Sequence, residues 1–381
     1  MSRMSPDSGA REVRDPPPAL RLAPLPVTPT KPLTLSHVKG LLWLDVLERA
    51  TRLVRPVEYD ANRTTYDVTW QTVDFWHWLD CNGIDCTRFD DIDVGLKYVE
   101  FHAQRAMGPR AGAEELRAEV ELGYLHPSAA RVLEVWSRQY QALGLRAADL
   151  TRSHPIPRSP AQAIAALARG GLVLDQRALG GSVFLDLTDQ GLPLRTLVDE
   201  TGRDNHLLCS LRALVGERTN DVEVALLCDA ELRPDYLLLE RCLQRLGARV
   251  FTLALGRVRM PDGSAGSARM GGWQDHTVDR LVERFPSFAP DVFRLGIRLY
   301  FVAALGAGAG TPLRYPLLQR FLTKAQRLLE TPAQASREAG LQRLRELARP
   351  RGFVDPYRVT SALLAPALRG ELRPLVEELF T

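Results

Sequence analysis

Two long apolar runs stand out in the second half of the chain, at residues 222–230 and 249–260. Near-continuous apolar runs of this length are typical of strands that are buried on both faces of a parallel sheet. A segment with helical periodicity, residues 235–246, separates them. Strand–helix–strand alternation indicates an α/β fold with an open parallel sheet, whose ligands bind at the carboxyl ends of the strands.

The rest of the chain has mainly helical patterns. An apolar helix is predicted at residues 41–50, further helices at 113–148, and a helical segment at 296–381. Gly170 is a helix-stop signal, and Gly180 with Gly181 is a hairpin signal. Residues 1–28 are rich in proline and polar residues and lack any period, which predicts a disordered or extended tail. A short strand or extended segment would then begin at residue 29.

Aromatic residues are concentrated at residues 66–85. One interpretation is a helix that packs its aromatic side chains into the core, and another is that Trp76, His77 or Trp78 lines a substrate pocket. Three aspartates at 90, 91 and 93 form a dense acidic group, for which a solvated loop is the expected structure.

Composition excludes several classes of protein. The 381 residues are 45% apolar and 25% charged, as in ordinary globular proteins, and the net charge of +3 is too small to indicate nucleic-acid binding. No run of eighteen apolar residues predicts a membrane span, and the N-terminus lacks an apolar signal core. The five cysteines have no CxxC spacing, so we expect a reduced, cytoplasmic protein without a metal site.

Lysine is rare in this chain, with four lysines against forty-five arginines. Lys31 and Lys39 lie on either side of His37, immediately before the apolar helix. With Thr34 or Ser36 as N-cap, His37 falls in the first helical turn, where backbone N–H groups and the helix dipole favour an anion. Because an ammonium group is a compact point charge for phosphate, this stretch is the first candidate for a phosphate site.

The same stretch resembles the His-x-Gly-His signature of class I aminoacyl-tRNA synthetases. Thr34, Leu35, Ser36 and His37 occupy the four motif positions, and the preceding Lys31-Pro32 makes the arginyl-tRNA synthetase form the nearest match, with cysteinyl-type ligases second. A second region, residues 130–189, has the order of elements found in the insertion of the arginyl form.

A third region, residues 261–295, resembles the segment that carries the Lys-Met-Ser-Lys-Ser loop. Arg269, Met270 and Gly271 lie in the place of that loop, and the Asp-x-x-Arg-Leu pattern follows at residues 291–295. Both loop lysines are absent. In the arginyl family, loss of the loop lysine is often accompanied by a lysine ahead of the histidine signature, and Lys31 lies at that place.

The resemblance implies a domain organisation. It predicts a Rossmann-like nucleotide-binding catalytic domain over residues 29–295, with a helical insertion at about 107–180. A shortened helical bundle similar to an anticodon-binding domain would cover residues 296–381.

The resemblance also implies a set of site residues. ATP with Mg²⁺ would be the cofactors, and Lys31, His37 and Arg269 would be catalytic. Thr34, Ser36, His37, Lys39, Met270 and Gly271 would bind ATP. The amino acid would meet Asp229, Glu231, Asp235 and His206, although the family's arginine-holding positions do not match.

The predicted function is that of a tRNA-independent ligase, which forms an aminoacyl-adenylate and transfers the acyl group to a small amine in specialised metabolism such as antibiotic biosynthesis. Two alternatives stay open: a non-catalytic synthetase paralogue that acts as a binding or regulatory module, and a divergent arginyl-type tRNA ligase. The sequence leaves the amino acid, the acceptor and the oligomeric state undetermined.

Overall fold

The computed structural model describes residues 18–23, 25–59, 64–104, 112–146, 155–216, 222–261, 271–308 and 311–381. Seven strands lie in these segments: β1 (Ala19–Leu22), β2 (Val57–Tyr59), β3 (Val173–Asp175), β4 (Val183–Leu185), β5 (Arg195–Val198), β6 (Val222–Asp229) and β7 (Arg249–Leu255). Four of them form a parallel sheet in the order β2-β1-β6-β7, and the other three form an antiparallel sheet in the order β3-β4-β5.

Helices make up most of the remaining described chain. In chain order they are α1 (Leu35–Arg52), α2 (Thr64–Asp67), α3 (Trp70–Cys81), α4 (Asp93–Gln104), α5 (Ala113–Glu121), α6 (Pro127–Leu143), α7 (Pro160–Arg169), α8 (His206–Leu214), α9 (Arg233–Arg245), α10 (Val278–Arg284), α11 (Pro290–Arg298), α12 (Tyr315–Glu330), α13 (Arg337–Leu347), α14 (Pro356–Leu364), α15 (Pro366–Leu372) and α16 (Val376–Phe380). A π-helical turn, Leu299–Ala304, continues α11.

The parallel sheet confirms the predicted α/β fold, and its strand order places the site. The chain passes from β1 to β2 on one side, whereas β6 pairs with β1 on the other side. The topological switch point therefore lies between the carboxyl ends of β1 and β6, where open α/β sheets bind ligands in a crevice. Since α1 follows β1 and α9 follows β6, the N-termini of both helices face this edge.

One sequence prediction is wrong. Residues 19–22 are not part of a tail, because they form β1, which pairs with both β2 and β6. Leu20 and Leu22 of this strand are fully buried. The first strand thus precedes residue 29, and residues 1–17 lie outside the described part of the chain.

The aromatic segment belongs to the core. Trp76 and Trp78 of α3 are buried together with Phe75, which confirms the core interpretation, while His77 is partly exposed beside Cys81. The acidic group departs from a solvated loop at two positions, because Asp91 accepts hydrogen bonds from Arg131 and Arg138, and Asp93 begins α4.

The helical C-terminal segment is continuous with the sheet domain. The boundary predicted at residue 296 falls inside α11, and one buried cluster runs from α1 through α3, α6 and α11 to α16. A buried ion pair reinforces this contact. Arg298, with no solvent exposure, donates from Nε and Nη2 to Asp45 Oδ2 of α1 at 2.9 and 2.7 Å and from Nη1 to the carbonyl of Leu143 at 2.7 Å.

We predict that Arg298→Met lowers the free energy of unfolding by about 3 kcal/mol, because the buried Asp45 carboxylate loses both hydrogen bonds from Arg298 and keeps only the one from Arg49 Nε. Urea unfolding followed by tryptophan fluorescence measures the change. Arg320→Met, at an exposed position of α12, is the matched control and should shift stability by less than about 0.5 kcal/mol. Equal effects of the two changes would contradict the assignment.

Candidate functional site

The candidate site lies at the N-terminus of α1. The helix begins at Leu35, ahead of the apolar segment predicted at residues 41–50, and its N-cap is Thr34, one of the two predicted candidates. His37 Nδ1 lies 3.4 Å from the backbone N–H of Thr34 and accepts a hydrogen bond from it. The signature residues are therefore part of the cap, which fixes the imidazole beside the N–H groups of the first turn, whose hydrogens have no acceptor within the helix.

Lys31 is buried directly in front of this turn, with 6% of its surface exposed. Its ammonium lies 3.4 Å from Thr30 Oγ1 and 4.8 Å above the centre of the Tyr98 ring, and its carbonyl accepts a hydrogen bond from Trp136 Nε1 at 2.9 Å. The ring contact is a cation–π interaction, which stabilises a partly desolvated ammonium. The side chain is thus held by the core and not by bulk solvent.

Two of the three predicted catalytic side chains, Lys31 and His37, act on each other electrostatically. Burial lowers the pKa of His37 to about 3, and the positive charges of Lys31 and Arg257 contribute to the same shift. The imidazole is therefore neutral at physiological pH. Because Nδ1 accepts from Thr34, the single ring proton is on Nε2, and this nitrogen is therefore a hydrogen-bond donor.

Ser36 has a second role that its motif position did not suggest. Its hydroxyl oxygen accepts a hydrogen bond from the backbone N–H of Val258 at 3.2 Å. The bond ties the start of α1 to the segment after β7. Because the oxygen is the acceptor, the hydroxyl hydrogen of Ser36 is still available for a ligand.

Lys39 is directed toward backbone carbonyls. Its ammonium donates to the carbonyls of Gly256 at 2.8 Å, Gly308 at 3.0 Å and Ala307 at 3.4 Å. Three acceptors match the three N–H donors of the group. Burial lowers its pKa to about 8, against the opposing effect of Asp229. These contacts assign Lys39 to holding three chain segments together.

Arg257 is a site residue that the sequence reasoning missed. It follows β7, and its Nη2 lies 2.8 Å from Glu231 Oε2 while its Nε lies 3.8 Å from Asp229 Oδ2. Two of the predicted substrate-binding carboxylates therefore share one guanidinium. Burial raises the pKa of Asp229, and Arg257 opposes that shift. The chain has forty-five arginines, so composition alone does not single out Arg257 as a site residue.

The other two predicted substrate residues form a separate pair. Asp235 Oδ2 lies 3.1 Å from His206 Nε2 and 3.0 Å from Arg195 Nη2. Burial lowers the pKa of His206; Asp235 acts against this shift and Arg195 acts with it. His206 begins α8 and Asp235 is in the first turn of α9, which places both at the carboxyl edge of the parallel sheet.

Of the loop that takes the place of Lys-Met-Ser-Lys-Ser, Arg269 and Met270 lie outside the described residues, while Gly271 has a φ of 81°. Trp273, just beyond, is buried against Gly95 of α4. A Cβ at Gly95 would lie 2.4 Å from Trp273 Cη2 and 2.9 Å from Lys31 Cβ, so the glycine is needed for this approach. The end of the loop segment is thereby packed next to Lys31.

In the described segments, no three His, Cys, Asp or Glu side chains are grouped so that they could hold a metal ion. All five cysteines have free thiols. Within the same segments, no helix combines the length and the apolar character that crossing a membrane requires.

Comparison with known proteins identifies the fold. The chain aligns over 95% of its length with the arginyl-tRNA synthetase of Thermus thermophilus, covering 80% of that chain at 15% identity with a TM-score of 0.54. The chain has a class I aminoacyl-tRNA synthetase fold. The putative arginyl-tRNA synthetase of Campylobacter jejuni gives a TM-score of 0.51 at 13% identity, with 95% of this chain and 84% of that chain covered.

The methionyl-tRNA synthetase of Mycobacterium tuberculosis, solved with methionyl-adenylate, has the same fold, with a TM-score of 0.50 at 10% identity over 95% of this chain and 89% of that chain. No family model and no curated protein matches by sequence. The predicted likeness to class I synthetases, the arginyl form included, is thus confirmed at the level of the fold.

We expect Lys39→Met to lower the free energy of unfolding by about 2–3 kcal/mol, because three carbonyls lose a charged donor. Urea unfolding measures the loss, with Lys324→Met on the exposed side of α12 as the control. If Lys39→Met instead leaves stability unchanged and weakens ATP binding, the side chain contacts nucleotide and the structural assignment is wrong.

His37 gives a pH-dependent prediction. Between pH 6.5 and about 3 the unfolded chain binds a proton at this residue that the native protein does not, so stability falls as the pH is lowered. We therefore expect His37→Gln to lose less stability than the parent between pH 7 and pH 5. The difference should be about 1 kcal/mol, a value that allows for partial exposure of the ring. Parallel urea curves at both pH values test it, and identical losses would refute it.

Proposed function

We propose that this protein is an ATP-dependent ligase that activates an amino acid as its adenylate and transfers the acyl group to a small amine without tRNA. One observation carries the proposal. Lys31, a buried cation, and His37, a neutral donor, lie within electrostatic range of each other at the start of α1, where a class I synthetase fold has its switch-point crevice.

The first step requires positioning and positive charge. An oxygen of the amino-acid carboxylate attacks the α-phosphorus of ATP, the bond from that phosphorus to the bridging oxygen breaks, and pyrophosphate leaves with the electron pair. Negative charge develops on the phosphoryl oxygens and on the leaving group, and fixed donors stabilise it without reorganisation.

The residues at the start of α1 supply such donors. His37 Nε2–H donates to a phosphoryl oxygen, the first-turn N–H groups add their dipoles, and the hydroxyls of Ser36 and Thr34 lie beside them. Lys31 supplies the full charge. Arg269, Met270 and Gly271 of the loop segment are proposed as further ATP contacts. Mg²⁺, which would accompany ATP, would neutralise part of the charge of the phosphates.

In the second step the acceptor amine attacks the acyl carbon, the bond to AMP breaks, and the amine loses one proton to solvent. The carboxylates at the sheet edge suit the amino-acid substrate. Asp229 and Glu231 lie at the end of β6, and Asp235 with His206 lies at the start of α9 and α8. These four side chains are proposed to meet the amino group and side chain of the bound amino acid.

We expect the parent protein to catalyse ATP–pyrophosphate exchange with at least one amino acid of a standard panel, without tRNA. Lys31→Met should reduce the exchange rate about 100-fold, the size of effect seen when one charge-stabilising donor is lost. Lys324→Met, which removes the same charge from an exposed position, should leave the rate unchanged.

The outcomes separate the alternatives. No exchange with any amino acid, together with ATP binding, would favour a non-catalytic binding module, to which the altered first and third signature positions, Thr34 and Ser36, also point. Exchange that appears only when tRNA is added would favour a divergent tRNA ligase. Exchange that is insensitive to Lys31→Met would remove Lys31 from the site.

A further inference from the structure

Arg257 is held in place from both sides by the helix that carries the signature. The carbonyl of Gly256 accepts from Lys39 Nζ at 2.8 Å, and the N–H of Val258 donates to Ser36 Oγ at 3.2 Å. The backbone of residues 256–258 is thus fastened to the first and second turns of α1. Because the backbone of this segment is fixed, the Arg257 side chain has fewer accessible positions. Ordering it around a ligand therefore costs less conformational entropy.

The guanidinium is at the edge of the same crevice. It is 27% exposed, it carries the ion pairs to Glu231 and Asp229, and its charge contributes to the lowered pKa of His37. Within the described part of the chain those two carboxylates are its ion-pair partners, and Asp229 also interacts electrostatically with Lys39. The cation is therefore balanced by groups that are themselves partly open to solvent.

We infer that Arg257 is a polyphosphate-binding residue of this site, and that Glu231 and Asp229 are the counter-ions it exchanges for the phosphates of a bound nucleotide. The inference rests on the proposed function, because it assigns a role at the same ATP site. It supplies the crevice with a second full positive charge beside Lys31, in a chain whose loop segment lacks both family lysines.

Chemistry favours the exchange. A guanidinium offers a planar fork that matches phosphate in two hydrogen bonds, and it stays charged at every physiological pH. The present partners are carboxylates with 37% and 60% side-chain exposure, and ion pairs of such exposure contribute little free energy. A pyrophosphate group carries several negative charges and can displace them at a small cost.

Direct binding of inorganic pyrophosphate and of ATP, by calorimetry at low salt, tests the inference without requiring turnover. Arg257→Gln should weaken pyrophosphate binding at least tenfold, in the range of a lost charge-assisted hydrogen bond. Arg257→Lys keeps the charge but not the fork and should fall between the two. Glu231→Gln removes a competing counter-ion and should tighten binding about two- to fivefold.

Arg259→Gln is the matched control. Arg259 is exposed and lies two residues further along the same segment. Its substitution removes the same formal charge and should change the affinity for pyrophosphate less than twofold. Thermal unfolding of each variant establishes that it is folded. We expect Glu231→Gln to tighten pyrophosphate binding and Arg257→Lys to weaken it. These two variants therefore test the inference even if Arg257→Gln fails to fold.

The results distinguish this inference from the proposed function. Unchanged pyrophosphate affinity in Arg257→Gln, with exchange activity intact in the parent, overturns the role of Arg257 alone. Pyrophosphate binding that depends on Arg257, in a parent protein without exchange activity, supports the role of Arg257 and contradicts the ligase assignment. A parent protein that binds neither ATP nor pyrophosphate overturns both.

Discussion

The buried ammonium of Lys39 is the interaction on which the site depends. It joins α1 to the carbonyl of Gly256 after β7 and to the carbonyls of Ala307 and Gly308 after the π-helical turn. Transferring an ammonium from water to this position costs free energy. The three carbonyl acceptors offset that cost only if all three segments are correctly placed relative to one another. A single cation thus specifies the relative position of a helix, a strand end and the C-terminal helices.

The electrostatics of the crevice follow from that arrangement. Lys31 and Arg257 bring full charges close to His37, and their combined effect with burial keeps the imidazole neutral. A neutral ring donates one hydrogen bond without adding a third desolvated charge to the edge of the sheet. The counter-ions are Glu231 and Asp229, which an anionic ligand can replace. Positive charge is therefore present before the ligand arrives, as preorganised electrostatic stabilisation requires.

The sequence predicted those parts that depend on local pattern. The apolar runs gave β6 and β7, and the Thr34 cap gave the start of α1. The strand β1 could not be found in this way, because it has only four residues between proline-rich stretches and is a strand through its pairing with β2 and β6. For a related reason Arg257 was missed, and Lys39 was predicted to bind ATP and not to hold chain segments together. Lys39 contacts residues more than two hundred positions away along the chain, and Arg257 contacts the end of the neighbouring strand.

The altered signature can be understood from the same contacts. In the family motif the position of Ser36 is glycine, which has no side chain to bind the segment after β7. Here the serine hydroxyl accepts from the N–H of Val258, next to Arg257. The change that weakens the sequence match thereby adds a tether between the helix start and the arginine. Lys39 binds the carbonyl of Gly256, the residue before Arg257. The two contacts together position the Arg257 cation at the carboxyl edge of the sheet, and a comparison of motifs does not detect them.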